Sequence, residues 1–251
     1  MEVHHHPIAI GSHTARKKWI HYFWEFLMLF LAVFCGFLAE YQLEHKIEHN
    51  REKQFIKSLV KDIESDTARL SVITAFRLAR LNIMDSVIRY FAINSATTIP
   101  LYAYSLMGQL RGHVAFYQNS GTLDQLKNSG GLRMIRKRAV VDSIQSYDQL
   151  IKRMLLRDMY ETDEMRYTTR LAYQLFDGRE LTKIHADTTF FNMPSPSQSE
   201  TLVMNTQYLS EYLNSLATFR FVVNANLELQ ANIKQDGAAL LALIKKEYHL
   251  E

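Results

Sequence analysis

Apolar residues are not spread evenly along this chain, and each change in their spacing predicts an element. Over residues 19–39 they are nearly continuous, "WIHYFWEFLMLFLAVFCGFLA", and 26–39 carries no charge. A helix needs about 20 predominantly apolar residues to cross a bilayer. Trp19, Tyr22, Trp24 and Tyr41 stand near the two ends, where aromatic rings favour the water–lipid boundary. The competing reading is a buried helix of a soluble domain; the length and these flanks favour a span. No A-x-A pattern follows, so the run reads as an uncleaved signal anchor.

From residue 38 to 99 there is no Gly or Pro. Leu43, Ile47, Phe55, Leu59 and Ile63 recur at helical spacing, and Leu70, Ile73, Leu81, Met84, Ile88 and Phe91 continue it. The pattern predicts one long helix, its first part highly charged like a neck and its second part apolar enough to enter a core. "NSATTIP" ends it, and an apolar, aromatic stretch with Gly108 and Gly112 follows. Thr122 with Gln125 predicts a capping box opening a short helix that Gly130 or Gly131 closes in a left-handed conformation. A second long helix is expected over about 137–176, ended by "DG" at 177–178. A loop then leads to a capping box of Ser197 and Glu200, and a last helix carries Leu202 to Leu227 and beyond, with Gly237 as a candidate break or bend. The fold class is therefore all-α: one N-terminal transmembrane helix continuing into a long exit helix and an antiparallel bundle. The expected divisions are a tail at 1–18, the span at 19–39, a charged neck at 40–68 and the bundle at 69–251.

Composition narrows the class. A hydrophobic share of 47% beside 22% charged residues is that of an ordinary folded protein, which excludes wholesale disorder. The net charge of +3 is dispersed, with no dense basic block interleaved with aromatics, so no nucleic-acid partner is expected. Cys35 is the single cysteine, which removes intramolecular disulfides and multi-cysteine metal sites. Phe34 before it is too large for a lipoprotein cleavage site. "ARKKW" places Arg16, Lys17 and Lys18 against the start of the span, which favours a cytoplasmic N-terminus and a periplasmic C-terminal domain in the bacterial inner membrane.

Candidate chemistry is sparse. Glu25 lies inside the apolar run, one turn after His21. It is either an interfacial carboxylate paired with His21 and reaching toward the headgroups, or a contact to a partner helix; proton relay is a third reading. His4, His5 and His6 can hold a divalent transition metal loosely, but a flexible tail fixes no geometry. His45 and His49 are one turn apart beside Glu48 and Glu52, and read as a solvated charged face. "RDMYETDEMRY" gathers Asp158, Glu161, Asp163 and Glu164 near Arg157 and Arg166, read as solvated ion pairs. No metalloprotease, serine-hydrolase, P-loop or zinc pattern occurs, so no enzyme and no cofactor are expected.

The segments "MEVHHHP", "WEFLMLFLAVFCGFLAE", "EHNREKQFIKSLVKDIESD" and "TLDQLKNSGGLRMI" together resemble a family of bacterial membrane proteins from Gram-negative organisms defined as a domain of unknown function. The likeness covers the first 70 residues and roughly 120–150. It implies a single-pass inner-membrane protein, supports the histidines as native, and brings no activity or catalytic residues. The expected function is a membrane-anchored interaction or assembly subunit, its partners the lipid bilayer and a membrane protein or a second copy. The alternative is a periplasmic sensor or ligand-binding bundle with a pocket lined by Tyr102, Tyr104, Arg111 and His113. Such a sensor would signal through a partner, the tail of about 18 residues being short for a signalling domain.

Overall fold

The computed structural model describes residues 14–94, 97–177, 179 and 201–250. The histidines His4, His5 and His6 and the Ser197–Glu200 capping box lie outside the described residues. The fold is all-α and 85% helical, as the patterning predicts, with five helices packing together. They are α1 (Thr14–Ile93), α2 (Leu101–Gln109), α3 (Gly121–Asn128), α4 (Arg138–Gln174) and α5 (Leu209–Tyr248). Two strands, β1 (Thr98–Pro100) and β2 (Thr201–Val203), pair antiparallel with Ile99 opposite Leu202. The chain divides into two compact units, one ending at Gln54 and the other beginning at Phe55.

In the first unit, α1 is uncovered over its whole apolar stretch. Phe26, Phe30 and Phe34 stack one turn apart, with ring centroids 6.2 and 5.9 Å from each other along the row. By length and composition this is one helix able to cross a membrane, a test that a signal sequence near an N-terminus also passes. Further along, the Tyr41 hydroxyl lies 3.1 Å from His45 Nε2 and His49 Nδ1 lies 3.5 Å from Glu52, so the two histidines have separate partners.

In the second unit, buried positions recur at alternating spacings of three and four. On α1 they are Leu59, Ile63, Asp66, Leu70, Ile73, Arg77, Arg80, Met84 and Val87. On α4 they are Val140, Ile144, Tyr147, Ile151, Met154, Asp158 and Glu161, and on α5 Tyr212, Leu216, Phe219, Val223, Asn226, Gln230, Ile233, Gly237, Leu240 and Ile244. Such a repeat keeps one seam of each helix facing its neighbours, as in coiled coils. The apolar members form two clusters. One joins Ile63 and Ile73 of α1 to Ile144 and Ile151 of α4 and Ile233 and Ile244 of α5. The other joins Met84 to Leu171 and to Phe219 and Val223.

The order of these contacts sets the helix directions. Glu64 meets Lys245 at 3.4 Å and Asp85 meets Arg220 at 2.5 Å, so α5 runs antiparallel to α1. α4 instead runs parallel to α1, because its early residues join the cluster of early α1 residues and its late residues join the other. The antiparallel expectation thus holds for α5 alone. The physical reason is the connection, which carries the chain back to the starting end of the bundle through α2, α3 and an irregular segment at 110–120 before α4 begins.

Local signals fared unevenly. Gly130 takes the left-handed conformation expected of a helix stop, with φ 70°. The Thr122–Gln125 box does not form: Ser120 occupies the cap position of α3 and makes no side-chain capping bond. Leu202 is in β2 rather than in the last helix, which begins at Leu209. Gly237 does not break α5, which is continuous from Leu209 to Tyr248. A Cβ there would lie 3.1 Å from Tyr147 Cε2 and 3.5 Å from Thr67 Oγ1, so the missing side chain lets α5 approach α4 and α1.

Two glycine substitutions separate packing from propensity. Gly237→Val should lower stability by about 1–3 kcal/mol through overpacking. Gly108→Ala, where an added Cβ meets nothing within 4 Å, should raise it by about 0.5–1 kcal/mol. Thermal unfolding followed by circular dichroism in mild detergent checks both, and equal midpoints would refute the close approach at Gly237.

Candidate functional site

His21 and Glu25 lie one turn apart on α1, with Nε2 3.2 Å from the carboxylate and side chains 72% and 58% exposed. At about 100° per residue, His21, Glu25, Leu29, Ala32 and Gly36 fall within an arc of about 80°. Phe26, Phe30 and Phe34 lie on the other side of the helix. One face therefore carries the two polar residues with Leu29 and the small Ala32 and Gly36, and the other is aromatic.

Tyr102, Tyr104, Arg111 and His113 do not converge. Tyr102 lines a depression with Tyr90, Phe91 and Leu106. Tyr104 is buried, its ring edge-on to Phe176 with centroids 5.0 Å apart. Arg111 stacks over the Tyr173 ring at 4.6 Å and reaches the Tyr104 hydroxyl at 3.5 Å. His113 lines another depression beside Thr162, whose hydroxyl is 3.3 Å from its Nε2.

The main polar assembly of the bundle was not legible as such in the sequence. Between the two apolar clusters lies a layer of buried charge. Arg77 and Arg80 of α1 are 1% and 2% exposed. Arg77 Nε donates to Glu161 Oε2 at 2.7 Å, and its Nη2 donates to Asp158 at 2.5 Å. Arg80 Nη1 donates to Glu161 Oε1 at 2.8 Å, and its guanidinium faces the rings of Phe76 and Phe219. Asn226 of α5 donates to Glu161 Oε2 at 2.7 Å. Gln230 is wholly buried beside it in sequence phase, one turn further along α5. Two positive and two negative charges cancel, which is how a dry interior tolerates ions.

Asp158 and Glu161 are therefore not solvated ion pairs, whereas Asp163 and Arg166, 3.6 Å apart, are exposed. The reason lies in phase: Asp158 and Glu161 continue the three-and-four spacing of Ile151 and Met154, as Arg77 and Arg80 continue that of Leu70 and Ile73. That continuation was the signal available in the sequence.

The layer also holds the irregular segment 110–120. The Gly112 carbonyl accepts from Arg80 Nη2, and the Phe116 N–H donates to Asp158 Oδ2 at 3.3 Å. Further along the segment, Asp66 accepts from the Asn119 N–H at 2.9 Å and Arg69 donates to the Tyr117 carbonyl. Backbone groups without a helix or sheet partner are thus satisfied by side chains of α1 and α4, as buried backbone requires. Burial pulls the Arg80 guanidinium down to about 10, against the pull of Glu161, and leaves it charged at neutral pH. Burial likewise raises the Asp158 carboxyl, with Arg77 opposing.

Among the described residues no group of three or more His, Cys, Asp or Glu side chains is placed to hold a metal ion. Comparison of the chain with protein-family models, curated proteins and solved structures yields no match.

Two measurements address the layer. Glu161→Ala leaves both arginines with uncompensated charge and should cost about 3–5 kcal/mol, whereas exposed Asp163→Ala should change stability by less than about 0.5 kcal/mol. Similar denaturation midpoints for the two would refute a buried network. Burial, then Arg80, holds the His113 imidazole below the usual histidine value of 6.5. The unfolded chain then takes up this proton at higher pH than the folded one, so stability is full above 6.5 and falls as pH drops toward the folded value. His113→Asn should flatten that acid-side slope; a slope unchanged from wild type between about pH 5 and 7 would contradict the assignment.

Proposed function

We propose that the chain is a single-pass protein of the bacterial inner membrane, with its N-terminus in the cytoplasm and its helical bundle in the periplasm. It serves as an assembly subunit without catalytic activity. Glu25, with His21, contacts a partner membrane helix or a second copy. Membership of the Gram-negative family that the sequence resembles is part of this reading.

The observation that carries it is the His21–Glu25 pair on an uncovered apolar helix. A charge toward the centre of a span costs about 2.5–3.5 kcal/mol on insertion scales. Snorkelling reduces that cost, and a hydrogen-bonding partner helix offsets it further. The residues sharing the Glu25 face also support a helix partner. Ala32 and Gly36 leave room for close backbone approach there, and a Cβ on Gly36 meets nothing within 4 Å. The stacked phenylalanines on the other side suit contact with lipid. Arg16, Lys17 and Lys18 before the span support the orientation. In the bundle, Tyr102 and His113 line separate depressions and Tyr104 is buried, which favours assembly over the four-residue binding cavity.

Affinity purification from native membranes in mild detergent, followed by mass spectrometry, tests the proposal with wild-type and Glu25→Ala baits. A stoichiometric partner recovered with wild type should fall by about tenfold with the variant, while the bundle's unfolding midpoint stays unchanged. Equal recovery from both baits would remove Glu25 from the contact.

A further inference from the structure

A depression of about 370 Å³ on the bundle is lined by Arg111, Met165, Arg166, Thr169, Arg170 and Tyr173. Its walls hold three guanidiniums and no carboxylate. Arg166, Thr169, Arg170 and Tyr173 share one face of α4 at helical spacing, and Arg111 comes from the segment that follows α2. Like charges one turn apart, as at Arg166 and Arg170, repel each other on a helix.

The arginines buried in the core, and some at its surface, are paired. Arg77 and Arg80 meet Asp158 and Glu161, and Arg220 meets Asp85 at 2.5 Å. Arg111 and Arg170 make no ion pair among the described residues. Arg166 reaches Asp163 at 3.6 Å, but both side chains are largely exposed and the attraction is screened. Arg111 is also pre-positioned. Its guanidinium is 4.6 Å from the Tyr173 ring centroid, its Nη2 is 3.5 Å from the Tyr104 hydroxyl, and its Nε is buried with no hydrogen-bond partner. A cation held by an aromatic face and a neutral hydroxyl keeps its charge unspent.

We propose that this depression is an anion site for a phosphate monoester group. A phosphate monoester carries about −1.5 to −2 charges at neutral pH, matching the excess positive charge here. Planar guanidinium forks suit bidentate contact with phosphate oxygens, and the Thr169 hydroxyl adds a donor. The volume falls in the range of small-ligand sites. The phosphate belongs either to a small solute or to a lipid headgroup of the phosphatidic acid type. This inference is independent of the Glu25 contact and goes beyond the assembly reading.

The test uses the full chain in phosphatidylcholine nanodiscs, with thermal unfolding as the readout. Inorganic phosphate is titrated at constant ionic strength set with chloride, and in a second arm the discs contain phosphatidic acid with no added phosphate. A saturable rise in the unfolding midpoint is expected in at least one arm, and Arg170→Gln and Arg111→Gln should each weaken the half-saturating concentration by about tenfold or more. Arg138→Gln, at an exposed pair with Asp142 on α4, should leave it unchanged. A rise with inorganic phosphate alone assigns a soluble ligand; a rise with phosphatidic acid assigns the headgroup. No saturable rise in either arm, or equal half-saturation in wild type and both depression variants, would overturn the site.

Discussion

Two guanidiniums and two carboxylates in the dry middle of the bundle constrain how its helices can align. Each charge loses several kcal/mol of hydration on burial, and only close, hydrogen-bonded partners offset that loss. Arg77 and Arg80 offer their donors from α1, Asp158 and Glu161 receive them on α4, and Asn226 reaches in from α5. Sliding α1 past α4 by one turn, about 5.4 Å, would break the present matching of the two arginines to the two carboxylates. The apolar clusters on either side are far less discriminating. Ile63, Ile73, Ile144, Ile151, Ile233 and Ile244 are chemically alike, and a slipped register would still bury much of their surface. Hydrophobic burial drives these helices together, and the ion layer selects one parallel register of α1 and α4.

The same chain treats charge differently in its apolar helix. In the bundle a carboxylate is neutralised within the fold by arginine. On α1 near its start, Glu25 has His21 beside it, and among the described residues nothing covers either. An ion pair on an exposed surface is worth little in water. In an apolar medium the same pair becomes costly to leave uncovered and strong once covered, because the competing solvent is gone. The cost of leaving the pair uncovered thus scales with how apolar its surroundings are.

How much of this was legible follows from what sequence patterns encode. The long helices were readable because apolar positions recur over many turns, as Leu59 to Val87 and Val140 to Met154 do. The strand pair was not: three residues are too few for an alternation, and β1 forms because Thr97–Pro100 happens to meet Thr201–Met204, about a hundred residues away. The ion layer was missed for a different reason. Charged residues on a helix are assigned to the solvated face by composition, yet Arg77, Arg80, Asp158 and Glu161 fall in phase with the buried seam. Phase, not residue type, carried the information. Gly237 follows the same logic: its identity suggests a break, while its phase places it at the contact with Tyr147.

The irregular segment 110–120 shows what the layer does beyond alignment. It carries Arg111 and His113; the N–H groups of residues 110–112 bond back to the last turn of α2, and beyond them no helix or sheet ladder fixes it. Its carbonyl at Gly112 is held by Arg80, and its N–H at Phe116 by Asp158. Arg80 is in turn oriented by Glu161, so the backbone next to Arg111 is held in part through a carboxylate that does not touch it. Removing Glu161 would free Arg80 to seek another acceptor, and the hold on Gly112 would loosen with it. The Arg111 side of the arginine-lined depression is therefore tied to the core, while its other lining residues stand on α4. Arg111 thus takes its place both from the Tyr173 ring against it and from buried charge two contacts away.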